Sequence, residues 1–383
     1  MALGTSFART KSMKGLILNF GGTIGMVQGE KGLRPPADDS EFRRAVEGIT
    51  KDFPGVDFAF ETLCTKDSTD VTPADWERLS ARLLVAQEDY DFIVIPHGTD
   101  TAAQTAMAMT FGFLAKNGQN NVINTQKVPV VFTGAQHPLF QKDSDGFANM
   151  RGAILTAIEG ARVGVADVLV CFNGRIMRGV NCRKVSDIDV DVYHSINGEY
   201  AGAFDAHGAA LSDDVRKSVP VQAGLAPLNR FCLPEGRYIE TLLLQPGSSG
   251  ESLRNIARDP ACIGAILVVL GAGNIPDTMT AAVTEAAKTR HFPMFAVSPF
   301  PGGNANPGAY EAGSRAFQAG VTFLADKASA LAYVTAHWLV ANGLAGDAPA
   351  FSANMQKAWV AETRQSAVQI PPVLLESSSH LSR

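Results

Sequence analysis

Two short loops contain the residues of this sequence that are best suited to chemistry. One is the Gly-Gly-Thr-Ile-Gly segment at 21–25, and the other is the His-Gly-Thr-Asp-Thr segment at 97–101. Each presents a threonine, Thr23 or Thr99, and Asp100 follows the second one. A threonine hydroxyl is a weak nucleophile that needs a base or a charged network to activate it. The two loops together predict an acyl-transfer site.

Each loop follows an apolar run with the composition of a β-strand. Residues 15–20 precede the first loop, and residues 92–96 precede the second. In a parallel sheet such runs are buried, and the carboxyl ends of the strands open onto the ligand crevice. We therefore expect both threonines and the carboxylate of Asp100 at the same edge of one sheet.

Other segments offer groups that would complete such a site. Lys184 follows a predicted strand end, and a lysine accepts a proton when burial and neighbours lower its pKa. Ser68 and the backbone of Ala135 are suited to orienting a small polar substrate. Backbone amides of the Gly-Gly-Thr turn are suited to stabilising an oxyanion.

Each signal also has an ordinary structural explanation when it is taken alone. A Gly-Gly-Thr segment after a strand is typical of a turn or a helix cap. Residues 67–70 have the pattern of an N-terminal helix cap, and Lys184 is typical of a solvated side chain. His97 is explained as a structural histidine, because no second histidine lies at metal-ligand spacing. The first loop lacks the GxGxxG and Walker A patterns, which argues against a nucleotide site. The combination of these signals favours a catalytic site over the separate structural explanations.

Length and composition exclude several classes of protein. A chain of 383 residues is too long for one ordinary core, which favours two domains. Apolar residues make up 46% and charged residues 19%, and a net charge of −5 gives no electrostatic case for nucleic acid or an anionic membrane. The five cysteines are scattered without a CxxC pair, which suits buried thiols and a reducing compartment. No signal peptide or transmembrane helix is predicted.

Strand-like and helix-like segments alternate along most of the chain, which predicts an α/β fold with parallel sheets. We expect a flexible extension over 1–14, a catalytic domain over 15–206 with a doubly wound sheet, a linker over 207–234, and a C-terminal domain over 235–383. The tail from 371 onward is expected to be loose. The predicted helices span residues 39–49, 72–87, 101–114, 149–161, 252–258, 278–288, 329–342 and 354–365.

Taken together, these segments resemble the bacterial-type L-asparaginase family over most of residues 14–339. The His-Gly-Thr-Asp-Thr block with an upstream Gly-Gly-Thr-Ile is specific to that family. The absence of a signal peptide and the Thr-Ile-Gly-Met form resemble its cytoplasmic, type I branch. The resemblance implies a larger doubly wound sheet and a smaller flavodoxin-like sheet. The matching blocks are 19–26, 67–76, 97–101, 131–138, 143–146, 178–184, 271–276 and 306–313.

By position, the resemblance implies a catalytic role for four residues. Thr23 is the expected nucleophile, which attacks the side-chain amide so that ammonia leaves and an acyl-enzyme forms. Thr99, polarised by Lys184 and Asp100, is then expected to activate water. Which threonine attacks first stays open.

The resemblance also implies how substrate and subunits are arranged. Ser68 and Thr69 are expected to hold the α-carboxylate of the substrate and Asp100 its α-ammonium, while Ala135 contributes through its backbone. Asn274 is expected to enter the site of a neighbouring subunit, which implies a homodimer or homotetramer. No metal or organic cofactor is implied.

Two positions depart from the family pattern. Members usually carry a tyrosine in the mobile loop after the first threonine, whereas Leu33 occupies that place here. If Thr23 lacks this partner, we expect chemistry to persist with altered efficiency or to depend more on Thr99 and Lys184. Arg183 stands where relatives often have threonine, which bears on any regulatory site near that loop.

The resemblance implies an amidohydrolase that converts L-asparagine to L-aspartate and ammonia. A mixed glutaminase-asparaginase differs by room for one methylene, a discrimination of about 1–3 kcal/mol. A catalytically weak amino-acid-binding or regulatory protein is the alternative from another class, and Leu33 favours it. A tRNA-dependent amidotransferase subunit shares the motifs but typically has an extra N-terminal domain, for which the short leader before Gly15 leaves no space.

Overall fold

The computed structural model describes residues 12–36, 38–196, 198–218, 225–362 and 368–369. They form a large and a smaller parallel-stranded sheet with flanking helices, which confirms the predicted α/β class. The strands are β1 Met13–Asn19, β2 Val27–Gly29, β3 Gly32–Arg34, β4 Val56–Thr62, β5 Phe92–Pro96, β6 Leu114–Lys116, β7 Asn121–Asn124, β8 Val130–Thr133, β9 Val168–Phe172, β10 Arg175–Arg178, β11 Cys182–Lys184, β12 Tyr193–Ser195, β13 Gly202–Phe204, β14 Ala209–Leu211, β15 Ala226–Pro227, β16 Tyr238–Leu243, β17 Cys262–Val268, β18 Met294–Val297, β19 Thr322–Phe323 and β20 Val368–Gln369. The helices are α1 Ser40–Thr50, α2 Pro73–Asp89, α3 Ala102–Gly112, α4 Gly146–Arg162, α5 Glu251–Arg258, α6 Asp277–Lys288, α7 Glu311–Gln318, α8 Ser329–Ala341, α9 Ala348–Gln356 and α10 Trp359–Glu362.

The larger sheet has eight strands in the order β14-β13-β10-β9-β8-β5-β1-β4. The strands from β9 to β4 are parallel, and β10, β13 and β14 extend the sheet in antiparallel fashion. The order of the parallel strands reverses at β1, because β4 lies on one side of it and β5 on the other. Ligands of open α/β sheets bind at such a reversal, outside the carboxyl ends of the strands. The loops after β1 and β5 therefore lie at the expected crevice.

The parallel strands β1, β5, β8 and β9 are covered on both faces. In β1, Leu16 and Leu18 belong to a core shared with α2 and α3, whereas Ile17 belongs to a core shared with α1 and α4. Because neither face meets solvent, these strands are continuous apolar runs, and this property makes them recognisable in the sequence. The cysteines agree with the prediction of buried thiols. All five are free, and four are buried, namely Cys64, Cys171, Cys182 and Cys262.

Helix α2 begins as predicted, with Thr72 before it and Pro73 at its first position. The Asp75 carboxylate accepts a hydrogen bond from the Thr72 backbone nitrogen at 2.9 Å and pairs with Lys66 at 2.8 Å. Burial raises the pKa of Asp75, but the hydrogen bonds from Lys66 and Thr72 outweigh burial and lower it overall. The Lys66 backbone oxygen also accepts a hydrogen bond from Gly22 at 3.3 Å. The cap of α2 thus joins the loops after β1 and β4.

The smaller sheet consists of the parallel strands β16-β17-β18-β19. Helices α5 and α6 pack with it around a separate core. Helix α8 packs against α3, and the rings of Phe111 and Trp338 meet there with centroids 5.1 Å apart. None of the helices in the described ranges has the length and apolar character needed to cross a membrane.

The chain between the two sheets is more ordered than the linker predicted over 207–234. Strand β14 pairs with β13 and extends the large sheet. The buried ring of Phe231 packs edge-on against Trp76, with centroids 5.9 Å apart. These contacts are long-range, so a local pattern of glycine, proline and charge gave no sign of them. Residues 219–224 of this stretch lie outside the described residues.

The two ends of the chain also differ from the prediction. Strand β1 begins at Met13, inside the predicted extension, because Met13 pairs with Val56. The helix predicted over 354–365 is instead α9, capped by Asp347, followed by the short α10. Lys357 between them is extended, and the Trp359 indole donates a hydrogen bond back to the Asn354 oxygen at 2.9 Å. The predicted loose tail and residues 1–11 lie outside the described residues.

Candidate active site

Four loops meet at the carboxyl ends of the neighbouring strands β4, β1, β5 and β8. Ser68 follows β4, Thr23 follows β1, Thr99 follows β5 and Ala135 follows β8. Parallel strands present their carboxyl ends at one edge, so a single crevice receives all four loops. The prediction that the two threonine loops share an edge of one sheet is confirmed.

Two glycines allow these loops to touch. Gly22 has a φ of 90°, and a Cβ there would overlap the backbone nitrogen of Gly98. A Cβ on Gly98 would lie 2.5 Å from Ser68 Oγ and 3.0 Å from the Cα of Gly22. Only glycine provides the left-handed backbone at position 22 together with such close approach. The loops that carry Thr23, Ser68 and Thr99 are thereby packed against one another.

Thr99 lies at the centre of a polar network. Its hydroxyl oxygen is 3.1 Å from Lys184 Nζ, and the same ammonium lies 2.6 Å from Asp100 Oδ1. Thr99 is only 6% exposed, so this contact is screened little by solvent. A cation beside a hydroxyl favours the oxyanion over the neutral form. The structure thus brings together Thr99, Asp100 and Lys184, as the sequence predicts.

Two residues that the sequence analysis did not assign also contact Thr99. Its hydroxyl donates to Gln136 Oε1 at 3.3 Å, and the Tyr193 hydroxyl donates to its backbone carbonyl. Gln136 directly follows Ala135 within a recognisable block, and that adjacency was a signal for it. The contact of Tyr193 depends on the pairing of β11 with β12, which no local pattern reveals.

Thr23 begins a short 3-10 turn over Thr23–Gly25 and is half-buried. Its hydroxyl has no hydrogen-bond partner within the described parts of the chain, so it is free to engage a ligand. The loop that follows is the hairpin of β2 and β3, in which Leu33 pairs with Gln28 and is 40% exposed. Leu33 has no group that exchanges a proton with Thr23.

The predicted substrate-binding residues have different surroundings. Ser68 is buried, and its carbonyl accepts a hydrogen bond from the Thr101 hydroxyl at 2.7 Å. Thr69 is exposed, and both its amide and its hydroxyl donate to Asp67 Oδ1 at 3.0 Å. Asp67 therefore caps the turn over 68–70, which confirms the structural explanation of this motif.

Asn274 stands apart from this cluster. It follows β17 of the smaller sheet, and its backbone bonds with Leu270 at 2.8 and 2.9 Å. Its side-chain Oδ1 is buried without a hydrogen-bond partner among the described residues. The hydrogen bonds of Asn274 thus do not link it to the threonine loops of its own chain.

His97 is a structural residue, as the simpler explanation of the sequence predicts. Its ring stacks on Phe20 with centroids 5.1 Å apart, and its Nδ1 lies 2.8 Å from the Gly98 carbonyl oxygen. Burial lowers its pKa to about 4. The neutral ring therefore donates from Nδ1 to the carbonyl and holds the loop before Thr99.

This chain is similar in sequence and in structure to proteins of one known family. The model of a family described as "Asparaginase, N-terminal" matches residues 14–216, more than half of the chain. The L-asparaginase of Thermococcus kodakarensis is 31% identical over 312 residues, which cover 81% of this chain and 87% of that relative. L-asparaginase 1 of Escherichia coli K12 is 29% identical over 328 residues, covering 85% and 90%. The solved structure of the thermostable L-asparaginase from Thermococcus kodakarensis superimposes with a TM-score of 0.76 and 28% identity, covering 91% of this chain and 99% of that chain.

Proposed function

Because this chain belongs to the asparaginase family, we propose that it is an L-asparaginase, which hydrolyses L-asparagine to L-aspartate and ammonia. The observation that carries the proposal is the contact of Lys184 Nζ with both Thr99 Oγ1 and Asp100 Oδ1. This contact supports activation of the Thr99 hydroxyl, and the loop after β5 lies beside the strand reversal, where ligands of such sheets bind. The relatives named L-asparaginase extend over most of the chain, which supports the same conclusion.

In the proposed first step, the Thr23 hydroxyl attacks the side-chain amide carbon of asparagine. The carbon–nitrogen bond breaks, the hydroxyl proton passes to the leaving nitrogen, and ammonia departs from a Thr23 ester. The backbone amide of Thr23 would stabilise the intermediate oxyanion, since the amides of Gly21 and Gly22 donate to Asn19 Oδ1 and to the Lys66 carbonyl. The Thr23 hydroxyl supports this assignment, because it has no hydrogen bond to any described residue that would have to break before attack.

In the proposed second step, water attacks the ester carbonyl. Thr99 orients this water, and a proton of the water passes to the Thr23 oxygen as the ester bond breaks and aspartate leaves. Asp100 holds the ammonium of Lys184 at 2.6 Å, and this ammonium would stabilise the negative charge that develops on the Thr99 oxygen during the transfer. General acid–base assistance of this kind contributes about 100- to 10,000-fold in rate.

Substrate recognition is proposed to use both ends of the amino acid. Ser68 and Thr69 would bind the α-carboxylate, Asp100 the α-ammonium, and Ala135 a polar group through its backbone. The Asp100 side chain is half-exposed, and its second oxygen is not engaged by Lys184. A homodimer or homotetramer would bring Asn274 to a neighbouring subunit's site. We also propose a cytoplasmic location, as the resemblance to the type I branch implies.

Ammonia release from asparagine and from glutamine tests the proposed function. We expect asparagine to be preferred, and we expect Thr23→Ala and Thr99→Ala each to lower kcat at least about 100-fold. Thr50→Ala is the control, since this hydroxyl bonds only to the Glu47 carbonyl at the end of α1. Full activity of Thr23→Ala would overturn the assignment of Thr23 as the nucleophile.

Two further outcomes of the same assay separate the alternatives. Comparable kcat/KM for both amides would identify a mixed glutaminase-asparaginase. Asparagine binding measured by calorimetry, without ammonia over hours, would identify a binding protein instead. Detection of an aspartyl adduct on Thr23 in the Thr99→Ala variant, by mass spectrometry of peptides, would place the first attack on Thr23.

A further inference from the structure

We infer that Tyr193 is a positioning residue of this site, holding the backbone of Thr99 while Lys184, its neighbour across the hairpin, contacts the Thr99 side chain. The Tyr193 hydroxyl donates to the Thr99 carbonyl, and Lys184 Nζ lies 3.1 Å from Thr99 Oγ1. The inference rests on the proposed function, since it concerns how Thr99 is held in position for that reaction.

The two contacts come from one element. Strands β11 and β12 are antiparallel, and Lys184 lies directly opposite Tyr193. Directly opposed residues of an antiparallel pair place their side chains on the same face. The hairpin therefore reaches Thr99 at two different atoms and fixes the orientation of its hydroxyl relative to the ammonium of Lys184.

Tyr193 acts through Thr99 and takes no part in the bond changes. It is only 2% exposed, and its ring packs edge-on against Phe172 with centroids 5.3 Å apart. Burial raises the pKa of Tyr193 well above its usual value, so the phenol keeps its proton and donates it. A buried, permanently protonated phenol is suited to hold a carbonyl and unsuited to exchange protons with substrate.

Gln136 anchors the same hairpin at its loop. Gln136 Oε1 accepts from the Thr99 hydroxyl, and its Nε2 donates to the Asp187 carbonyl at 3.0 Å. Asp187 lies in the loop that joins β11 to β12. Thr99, Gln136 and the hairpin thus form a closed ring of contacts. A misplacement of 1 Å in such an arrangement costs about 100-fold in rate.

The experiment compares two tyrosine-to-phenylalanine variants by steady-state ammonia release. Tyr193→Phe keeps the ring and removes the hydroxyl, and we expect kcat to fall about 10- to 100-fold with little change in KM. Tyr238→Phe is the matched control, because its hydroxyl donates to Asp259 at 2.8 Å in the other half of the molecule. Its kcat should equal that of the wild type. In a Lys184→Met background, Tyr193→Phe should lower kcat no further.

The outcomes separate this inference from the proposed function. Unchanged kcat in Tyr193→Phe, or an additive loss in the Lys184→Met background, overturns the positioning role alone. Absence of ammonia from the wild type overturns the proposed function as well. Near-ultraviolet circular dichroism gives the folded fraction by which kcat is normalised. Should Tyr193→Phe fold poorly, Gln136→Leu tests the same ring, and unchanged kcat there overturns the role.

Discussion

The ion pair of Lys184 with Asp100 contributes little to the stability of the fold. The Lys184 side chain is 20% exposed and that of Asp100 is 53% exposed. A pair so open to water is typically worth only about 0–1 kcal/mol of stability. In the proposed reaction, the same ammonium, 3.1 Å from a nearly buried hydroxyl, would have a much larger effect on the charge that develops there.

Replacement of Lys184 separates these two effects. In Lys184→Met we expect kcat to fall about 100- to 10,000-fold, because Thr99 loses its charged partner, while the unfolding temperature changes little. Ammonia release and thermal unfolding measure the two quantities. Lys127→Met is the control, since Lys127 forms an equally short surface pair with Glu88 at 2.6 Å. A loss of less than tenfold in Lys184→Met would show that the lysine has no chemical role.

At the scale of elements, the site depends on close contact between loops that belong to different strands. The strands are predictable because a parallel strand covered on both faces is an unbroken apolar run. The loops are recognisable because glycine is concentrated where β1 and β5 end. The reason for those glycines is a tertiary one: Gly22 and Gly98 touch, and Ser68 covers Gly98.

Substitution of Gly98 tests this contact. In Gly98→Ala the new Cβ would lie 2.5 Å from Ser68 Oγ, so we expect KM for asparagine to rise and the free energy of unfolding to fall by about 1–3 kcal/mol. Gly48→Ala is the control, because nothing lies within 4 Å of a Cβ at this position in α1. That variant should gain about 1 kcal/mol with KM unchanged. Urea unfolding and ammonia release provide both measurements, and equal behaviour of the two variants would contradict the prediction.

At the scale of the whole molecule, two buried histidines connect stability to pH. His97 lies beneath the candidate site, and His337 lies on α8, which packs against α3. Burial lowers the pKa of His97 to about 4 and also lowers the pKa of His337. The unfolded chain binds protons at these residues near pH 6.5, whereas the folded chain does not. Their contribution is complete above pH 6.5 and is lost as the pH falls, which for His97 occurs towards about pH 4.

The free energy of unfolding should therefore decrease on acidification from pH 7.5 to pH 5. His97 alone accounts for about 2 kcal/mol of this decrease, and His337 adds to it in the same direction. Urea unfolding of His97→Gln at both pH values should show a decrease that is smaller by that amount. His207→Gln is the control, because His207 is exposed. An identical decrease in wild type and His97→Gln would contradict the prediction.

The sequence was less informative where structure depends on distant contacts. The helix predicted over 354–365 is interrupted, because the buried ring of Trp359 packs against Trp338 with centroids 5.5 Å apart. The segment 207–234 was predicted as a linker, although it contains β14. Strand β13, with which β14 pairs, is too short to show an alternation of apolar and polar residues. The spacing of apolar residues identifies the buried face of a single helix or strand. It carries no information about the surface that the element meets.

By itself, the sequence determined the α/β class, the strands β1 and β5, the two threonine loops that follow them and the family. These features follow from local chemistry, since buried strands must be apolar and tight loops must contain glycine. The association of Thr99 with Lys184, 85 positions away, was implied by the family resemblance, but only the tertiary structure decided that Tyr193 and Gln136 contact the same residue. Those contacts depend on strand order and hairpin register, which arise when the whole chain packs.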